Sequence, residues 1–164
     1  MTNNTIKHYI SILEALCIVF RVFPYHRSIA RAVTQQPKLY FLDVGLVRGN
    51  DGVKLENLVA LSLLRELCLR EDRDGLNRQL TYIRTRDGRE VDFLIVQEGA
   101  LPLMLEVKMS DNHLSPQLRY FHEHYGFKGV QLVADLHSEN ESGPLHLRRA
   151  ISFLENPTFE RPGD

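Results

Sequence analysis

Three short apolar segments separated by tight turns constrain the fold of this 164-residue chain more than any other feature. The segments 80–84, 91–96 and 103–108 are rich in apolar residues, many of them β-branched or aromatic, and such residues favour strands. Asp87-Gly88 is typical of a hairpin turn, and a Glu-Gly pair at 98–99 marks a second turn. Strands joined by such short turns pair antiparallel, so the sequence predicts a three-stranded meander.

Helical patterns lie on both sides of this meander. Residues 55–69 are densely apolar over about four helical turns, and 5–16 carry apolar residues at helical spacing. The charged residues 70–75 predict a loop that ends the first of these helices. A Ser-Pro pair at 115–116 has the pattern of a helix start, and a Tyr-Gly pair at 125–126 that of a helix end. A further strand is predicted at 130–134. This order of elements predicts an α/β fold in which a mixed sheet is flanked by helices on both faces.

The first 48 residues predict a smaller unit in front of this sheet. After the helix at 5–16, strands are predicted at 17–23 and 38–43, and a helix followed by two strands is what remains of a winged helix without its first helices. Such a short segment has little apolar surface of its own to bury, so we expect it to pack on another part of the structure. The predicted division is a partial winged-helix segment at 1–48, an α/β domain at 49–155 and a tail at 156–164.

Composition and charge exclude several classes of protein. With 43% hydrophobic and 25% charged residues the chain can bury a core, which excludes a wholly disordered protein. The net charge of −1 excludes a strongly basic nucleic-acid binder, although residues 1–50 hold six basic and only two acidic side chains. No apolar run reaches the ~18 residues of a membrane helix, and the N-terminus lacks a signal-peptide pattern. Two distant cysteines form no disulfide framework, so we expect a cytoplasmic protein with no membrane partner.

Charged side chains interrupt the apolar pattern near one end of the second and third strands. Because side chains alternate between the faces of a strand, Asp92 is predicted on the opposite face from its neighbours Val91 and Phe93. On the third strand Glu106 and Lys108 share one face, at about 7 Å between their Cα atoms. Whether Asp92 meets Glu106 therefore depends on the register between the two strands.

The length of the second turn sets that register. A three-residue loop at 98–100 pairs Gln97 with Leu101 and, by the same count, Asp92 with Glu106. A two-residue loop would instead send the two carboxylates to different faces of the sheet. A shared site therefore requires the odd-length loop or a bulge.

Two carboxylates side by side on an apolar sheet predict a cation between them. They repel each other and resist the loss of water, and a divalent ion removes both problems. Mg²⁺ prefers oxygen ligands and keeps waters and substrate phosphate in its shell, so two or three carboxylates suffice. We therefore expect Mg²⁺ at Asp92 and Glu106, with Lys108 stabilising phosphate charge or helping to activate the attacking water.

Glu56 is a third candidate carboxylate, on the predicted helix 55–69. Four positions form one stripe of this helix: Glu56, Ala60, Leu63 and Leu67. An acid on an apolar stripe points inward, towards the sheet. The alternative is a first-turn glutamate that favours the helix dipole and remains solvated, and the periodicity does not choose between the two.

In this order of elements, the residues resemble the PD-(D/E)XK pattern of the restriction-endonuclease-like fold. The pattern is a glutamate on the first core helix, an aspartate on the second strand and Glu-X-Lys on the third. Here it reads Glu56, Asp92 and Glu-Val-Lys at 106–108. Val91 stands at the position of the proline in the motif, which many members lack. Gln117, early in the next helix, matches the position of a polar residue that faces the site in many members.

This resemblance implies a metal-dependent nuclease. Asp92 and Glu106 would hold Mg²⁺, and Glu56 would add charge through water. Lys108 would assist the nucleophile and Gln117 would orient substrate or water. The implied substrate is nucleic acid, DNA in the first place, and the implied reaction is phosphodiester hydrolysis.

Longer segments resemble the C-terminal domain, of unknown function, of a large set of prokaryotic AAA-type ATPases. The resemblance runs over residues 5–135 and is carried by the segments 38–46, 55–60, 82–93 and 106–108. In those proteins an ATPase module and a winged helix precede this domain. This chain has no Gly-x-x-x-x-Gly-Lys-Ser/Thr segment, so the resemblance implies an ATPase partner module in the full-length protein or in trans.

Two other functions are compatible with the same residues. In the first alternative, the domain is a non-catalytic module of an AAA-type ATPase that binds nucleic acid or protein. Asp92 and Glu106 then form ion pairs with Lys108 and a neighbouring arginine. Alternatively the chain has no independent activity and self-associates through exposed apolar surface on residues 5–42.

Overall fold

The computed structural model describes residues 3–25, 36–141 and 143–157. In this part of the chain seven strands form one sheet, with the order β2-β1-β3-β4-β5-β6-β7. The strands are β1 (Val19–Pro24), β2 (Lys38–Phe41), β3 (Arg78–Arg84), β4 (Glu90–Gln97), β5 (Leu103–Lys108), β6 (Lys128–Val133) and β7 (Leu145–Arg149). The helices are α1 (Asn3–Ala15), α2 (Asp51–Asp74), α3 (Pro116–Tyr125) and α4 (Ala150–Glu155).

The sheet is mixed, as predicted. Strands β3, β4 and β5 form the predicted antiparallel meander, while β6 and β7 continue it in parallel on the β5 side. Helix α3 makes the crossover from β5 to the parallel strand β6, a connection that an antiparallel pair does not need. On the other side β1 pairs in parallel with β3 and antiparallel with β2.

Helices cover both faces of the sheet, which confirms the predicted α/β architecture. On one face, Val59 and Leu63 of α2 and Phe153 of α4 pack in the main core. On the other face, Leu118 and Phe121 of α3 pack in a second cluster with residues of β4 and β5.

Helix α2 is longer at both ends than its apolar pattern predicts. Asn50 caps its start, because its side chain accepts a hydrogen bond from the backbone N–H of Val53. The charged stretch after residue 69, which we predicted as a loop, is helical as far as Asp74. Gly75 ends the helix in the left-handed conformation, at φ 72°, where a glycine carries no steric penalty.

A β-bulge overturns the predicted faces of β4. The pairing of β3 with β4 shifts between Thr81↔Leu94 and Ile83↔Val91, so β4 carries one extra residue there. Val91 consequently packs with Leu94 in the cluster under α3, whereas Phe93 packs in the core under α2. Strict alternation, which places Val91 and Phe93 on one face, is wrong at this point because the bulge reverses the alternation.

Strand β7 and helix α4 were not predicted. Leu145 and Leu147 of β7 are buried at alternate positions, and Phe153 of α4 is fully buried against the main core. Each element is only five or six residues long, too short for periodicity to identify it. Of the predicted tail at 156–164, residues 158–164 lie outside the described residues.

The N-terminal strands continue the same sheet. Strand β1 starts at Val19 because Cys17 turns the chain with a φ of 54°, and the pairing of β1 with β3 attaches the hairpin β1–β2 to the meander. Helix α1 lies outside this core and leaves Tyr9 and Ile12 exposed. Residues 26–35, which belong to the predicted winged-helix segment, lie outside the described residues, and the division at residue 48 stays a prediction.

Two further features concern the predicted environment of the chain. None of the helices within the described ranges is long and apolar enough to cross a bilayer. Cys17 and Cys68 are both free and exposed.

Candidate functional site

The pairing of β4 with β5 ends beside Asp92 and Glu106. Phe93 pairs with Leu105, and this register continues to Ile95 and Leu103. This is the register that the odd-length loop predicts, and the structure confirms it for these three pairs. Asp92 and Glu106 each lie one residue beyond the last pair, and the charge of Asp92 acts on Glu106.

The Asp92 carboxylate is held by two donors from different parts of the chain. Its Oδ2 accepts a hydrogen bond from the backbone N–H of Val107 at 2.9 Å, and its Oδ1 lies 3.4 Å from the Nζ of Lys38. Burial raises the pKa of Asp92, and Glu56 raises it further, although Lys38 and the Val107 amide act in the opposite direction. Asp92 is therefore a carboxylate that gains from a cation beside it.

Glu106 is the most deeply buried acid of the site. Its side chain is 5% exposed, and its Oε1 lies 2.8 Å from the Nζ of Lys108. Its Oε2 is buried and has no hydrogen-bond partner among the described residues. Burial and the neighbouring Asp92 raise the pKa of Glu106 to about 7. An unpartnered buried carboxylate oxygen is costly, so this atom marks a place where a ligand would be bound favourably.

Lys108 closes the site on its solvent side. Its side chain is 38% exposed, and the hydrogen bond to Glu106 raises its pKa although burial acts in the opposite direction. Lys108 therefore stays charged, with its ammonium group next to the carboxylate pair and open to a ligand from solvent.

Glu56 points inward, which decides between the two alternatives for this residue. Its Oε1 accepts a hydrogen bond from the Tyr40 hydroxyl at 2.7 Å and lies 3.5 Å from the Nζ of Lys38. Burial and the charge of Glu56 together raise the pKa of Tyr40, so this hydroxyl remains a donor. The sequence analysis missed Tyr40 and Lys38, although their spacing of two on a predicted strand places both on one face.

Lys38 joins three carboxylates of different elements. Besides Asp92 and Glu56, its Nζ lies 2.7 Å from the Oε1 of Glu90, and it stands 5.5 Å from the centre of the Tyr82 ring. Burial lowers the pKa of Lys38, but the carboxylates outweigh this effect and the pKa is raised. Lys38 is therefore a permanent positive charge at the centre of the acid cluster.

A buried asparagine holds the start of α2 against β2. The side chain of Asn57 accepts a hydrogen bond from the backbone N–H of Phe41 at 2.8 Å and donates one to its carbonyl oxygen at 2.9 Å. These two bonds satisfy the backbone N–H and carbonyl of Phe41, which lies on the edge strand β2. It thereby places the adjacent Glu56 beside Tyr40.

Gln117 lies at the start of α3, where the helix meets the sheet. Ser115 caps this helix by accepting a hydrogen bond from the backbone N–H of Gln117, as predicted. The Oε1 of Gln117 is buried and, like the Oε2 of Glu106, has no hydrogen-bond partner among the described residues. Gln131 of β6 orients the preceding loop, because its side chain binds the backbone of Asp111, His113 and Ser115.

The site thus assembles as a pair of carboxylates with a lysine on either side. Asp92 and Glu106 are adjacent, whereas Glu56 is linked to Asp92 through Lys38. Among the described residues, no three His, Cys, Asp or Glu side chains group in a way that could hold a metal ion. The predicted Mg²⁺ stays a prediction.

Comparison with known families assigns the larger part of the chain. Residues 51–145 match a domain of unknown function, DUF4143, which is more than half of the chain. The chain belongs to the DUF4143 family. The matched range of this DUF4143 protein contains α2, the meander and α3, and thus the acids Glu56, Asp92 and Glu106 together with Lys108.

Other comparisons add less. Residues 1–56 match a second domain of unknown function, DUF8612. No curated protein matches. A solved structure, the refined half-complex from the tetradecameric assembly of Thermococcus gammatolerans McrB AAA+ hexamers with bound McrC, has a TM-score of 0.41 and 11% sequence identity to this chain. That similarity covers 60% of the DUF4143 protein and 27% of the compared chain, so this protein spans well under two thirds of its length.

Proposed function

We propose that this DUF4143 protein is a Mg²⁺-dependent nuclease of the PD-(D/E)XK type. The observation that carries the proposal is the buried carboxylate of Glu106 next to the strand position where Asp92 binds the backbone N–H of Val107, because one oxygen of Glu106 has no hydrogen-bond partner among the described residues. Lys108 stands beside this pair at 2.8 Å from Glu106. This arrangement supports binding and hydrolysis of a phosphodiester, with nucleic acid, DNA in the first place, as the substrate class.

The donor set suits a hard divalent cation. Asp92 and Glu106 offer carboxylate oxygens, which Mg²⁺ prefers, and both acids have a raised pKa because burial penalises their charge. Asp92 and Glu106 would hold the ion, and Glu56 would add negative charge through water. When bound, Mg²⁺ would polarise a phosphate oxygen and lower the pKa of a coordinated water.

The other side chains act on the substrate and on the water. Lys108 remains charged and reaches solvent, so it can neutralise a non-bridging phosphate oxygen as negative charge develops there. Gln117 has a buried amide oxygen without a partner in the described part of the chain, and this oxygen can accept a hydrogen bond from a water or a sugar hydroxyl. The roles of both residues rest on the resemblance and on these contacts.

A plasmid-nicking assay with Mg²⁺ tests the proposal. We expect wild-type protein to convert supercoiled to open-circular DNA, and Asp92→Asn and Lys108→Met to lose this activity by about a hundredfold or more. Asp72→Asn and Lys54→Met change the same charges at exposed positions of α2 and should retain it. Equal nicking by all five proteins would reveal a contaminating nuclease and remove the catalytic proposal.

A second candidate is a non-catalytic binding module. It is favoured by Lys38, which already neutralises Asp92 and Glu56 and so makes their charges tolerable without an ion. This function predicts nucleic-acid or protein binding that is insensitive to Mg²⁺ and to Asp92→Asn. A salt-dependent DNA-binding titration with and without Mg²⁺ distinguishes it from the nuclease, because only the nuclease site couples metal to DNA phosphate.

The proposed partners rest on the sequence resemblance. The DUF4143 domain is expected to act with an AAA-type ATPase module, in one polypeptide or in trans. Self-association is supported by the exposed apolar residues of α1 and of the position after it: Ile6, Tyr9, Ile12, Leu13 and Leu16. Sedimentation over a range of concentrations tests it, and a monomer at all concentrations would exclude self-association.

A further inference from the structure

We propose that Lys38 is a built-in competitor of the divalent cation, which holds the acid cluster in a lysine-neutralised form until metal displaces it. This inference rests on the proposed function, because it assigns a role to Lys38 only at a metal-binding site. It concerns a residue outside the Glu56, Asp92, Glu106 and Lys108 set that the sequence predicts.

The contacts of Lys38 place it where positive charge is required. Its Nζ lies 3.4 Å from Asp92 Oδ1 and 3.5 Å from Glu56 Oε1, two carboxylates of the proposed site. Its side chain is only 21% exposed, so these contacts are screened less than a surface ion pair would be. A divalent ion bound to Asp92 would bring a second positive charge close to this ammonium group, and the repulsion opposes simultaneous binding.

Glu90 provides Lys38 with a place to remain when the ion binds. Its Oε1 lies 2.7 Å from the Lys38 Nζ, which is shorter than either contact with the proposed site. Glu90 is at the first position of β4, two residues before Asp92. Lys38 can therefore release Asp92 and Glu56 and keep one carboxylate partner, so the cost of displacing it is moderate.

Lys38 does not satisfy every carboxylate oxygen of the cluster, and this favours binding of a divalent ion. Glu106 is 4% exposed, and its Oε2 has no hydrogen-bond partner in the described part of the chain. Lys38 makes ion pairs with Asp92, Glu56 and Glu90. A divalent ion shared by Asp92 and Glu106 would satisfy the oxygen that the lysine leaves unpartnered.

Binding of Mn²⁺, measured by calorimetry or by the loss of its free-ion electron paramagnetic resonance signal, tests the competition without any activity assay. We expect Lys38→Met to bind Mn²⁺ about tenfold more tightly than wild type, because the competing charge is gone. Lys54→Met is the matched control, since it removes the same charge from the exposed start of α2, and it should bind as wild type does.

Glu90 gives a second, independent variant. Glu90→Gln removes the alternative partner of Lys38, so we expect it to weaken Mn²⁺ binding about threefold relative to wild type. Glu98→Gln, an exposed acid in the β4–β5 turn, is its charge-matched control. The double variant Lys38→Met/Glu90→Gln should bind Mn²⁺ as tightly as Lys38→Met does, because Glu90 acts only through Lys38 in this scheme.

The outcomes separate this inference from the proposed function. If wild type and Lys38→Met bind Mn²⁺ with equal affinity, the competition is overturned while a metal site remains. The same conclusion follows if Glu90→Gln reduces the Mn²⁺ affinity equally with and without Lys38. Asp92→Asn and Glu106→Gln should weaken Mn²⁺ binding, both in the wild-type protein and in Lys38→Met. If neither substitution changes the affinity in either background, the proposed site is overturned, and the competition with it.

Discussion

The carboxylate of Asp92 accepts a hydrogen bond from the backbone N–H of Val107 at 2.9 Å, and this bond attaches the acid of β4 to the strand that carries Glu106. Asp92 is thus fixed to the backbone at the residue that follows Glu106. The negative charge of Asp92 raises the pKa of the buried Glu106.

The first prediction concerns the pKa of Glu106. Asp92→Asn removes a negative neighbour and should lower this pKa from about 7, whereas Lys108→Met removes its hydrogen-bond partner and should raise it. Burial remains in both variants, so the pKa should stay above the ordinary value of 4.5. Titration of ¹³C-labelled glutamate carboxyl groups by NMR measures it, and shifts in the same direction in both variants would contradict the assignment of causes.

The second prediction concerns stability against pH. The pKa of Glu106 is about 7 when folded and 4.5 ordinarily, so the folded protein binds more protons between these values and its stability falls as pH rises through this window. The loss amounts to about 3 kcal/mol at most. Glu106→Gln cannot ionise and should gain stability relative to wild type from pH 4.5 to 7, then keep that gain.

Urea unfolding at pH 5 and pH 8 measures this difference. Glu98→Gln, at an exposed position, is the control and should follow the wild-type profile. Parallel profiles for wild type and Glu106→Gln would mean that folding does not raise the pKa of Glu106.

The third prediction concerns the attachment of α2 to β2. Asn57→Ala leaves both the N–H and the carbonyl of Phe41 without their partners, and should lower the free energy of unfolding by about 2–3 kcal/mol. Asn77→Ala, at an exposed position before β3, should change it by less than about 0.5 kcal/mol. A small effect of Asn57→Ala in urea unfolding would show that packing alone holds the helix in place.

The fourth prediction concerns the loop between β5 and α3. Gln131 is fully buried, and its side chain makes three hydrogen bonds with the loop backbone. Gln131→Ala should cost about 3 kcal/mol and increase amide hydrogen exchange over residues 111–115. Gln79→Ala removes an exposed glutamine from another strand and should do neither. Unchanged exchange in Gln131→Ala would show that the loop is ordered without these bonds.

Local signals predicted much of the fold around the site. The Ser-Pro and Tyr-Gly pairs predicted α3 correctly because capping depends on a few adjacent residues. The odd loop length predicted the register between β4 and β5 correctly, because register in a hairpin is set by its turn. Charged residues misled the prediction at the end of α2, where Arg70 pairs with Glu66 one turn earlier and the helix continues.

The sequence by itself determined most of the elements, their order and the register between β4 and β5, because each depends on neighbours along the chain or on one short turn. Only the tertiary structure decided the face of Val91, which a bulge reverses, and the presence of Lys38 among three acids. Lys38 precedes Asp92 by 54 positions and reaches it because β2 is built onto the sheet through β1. Such a contact follows from the packing of distant segments, and no local pattern of residues specifies it.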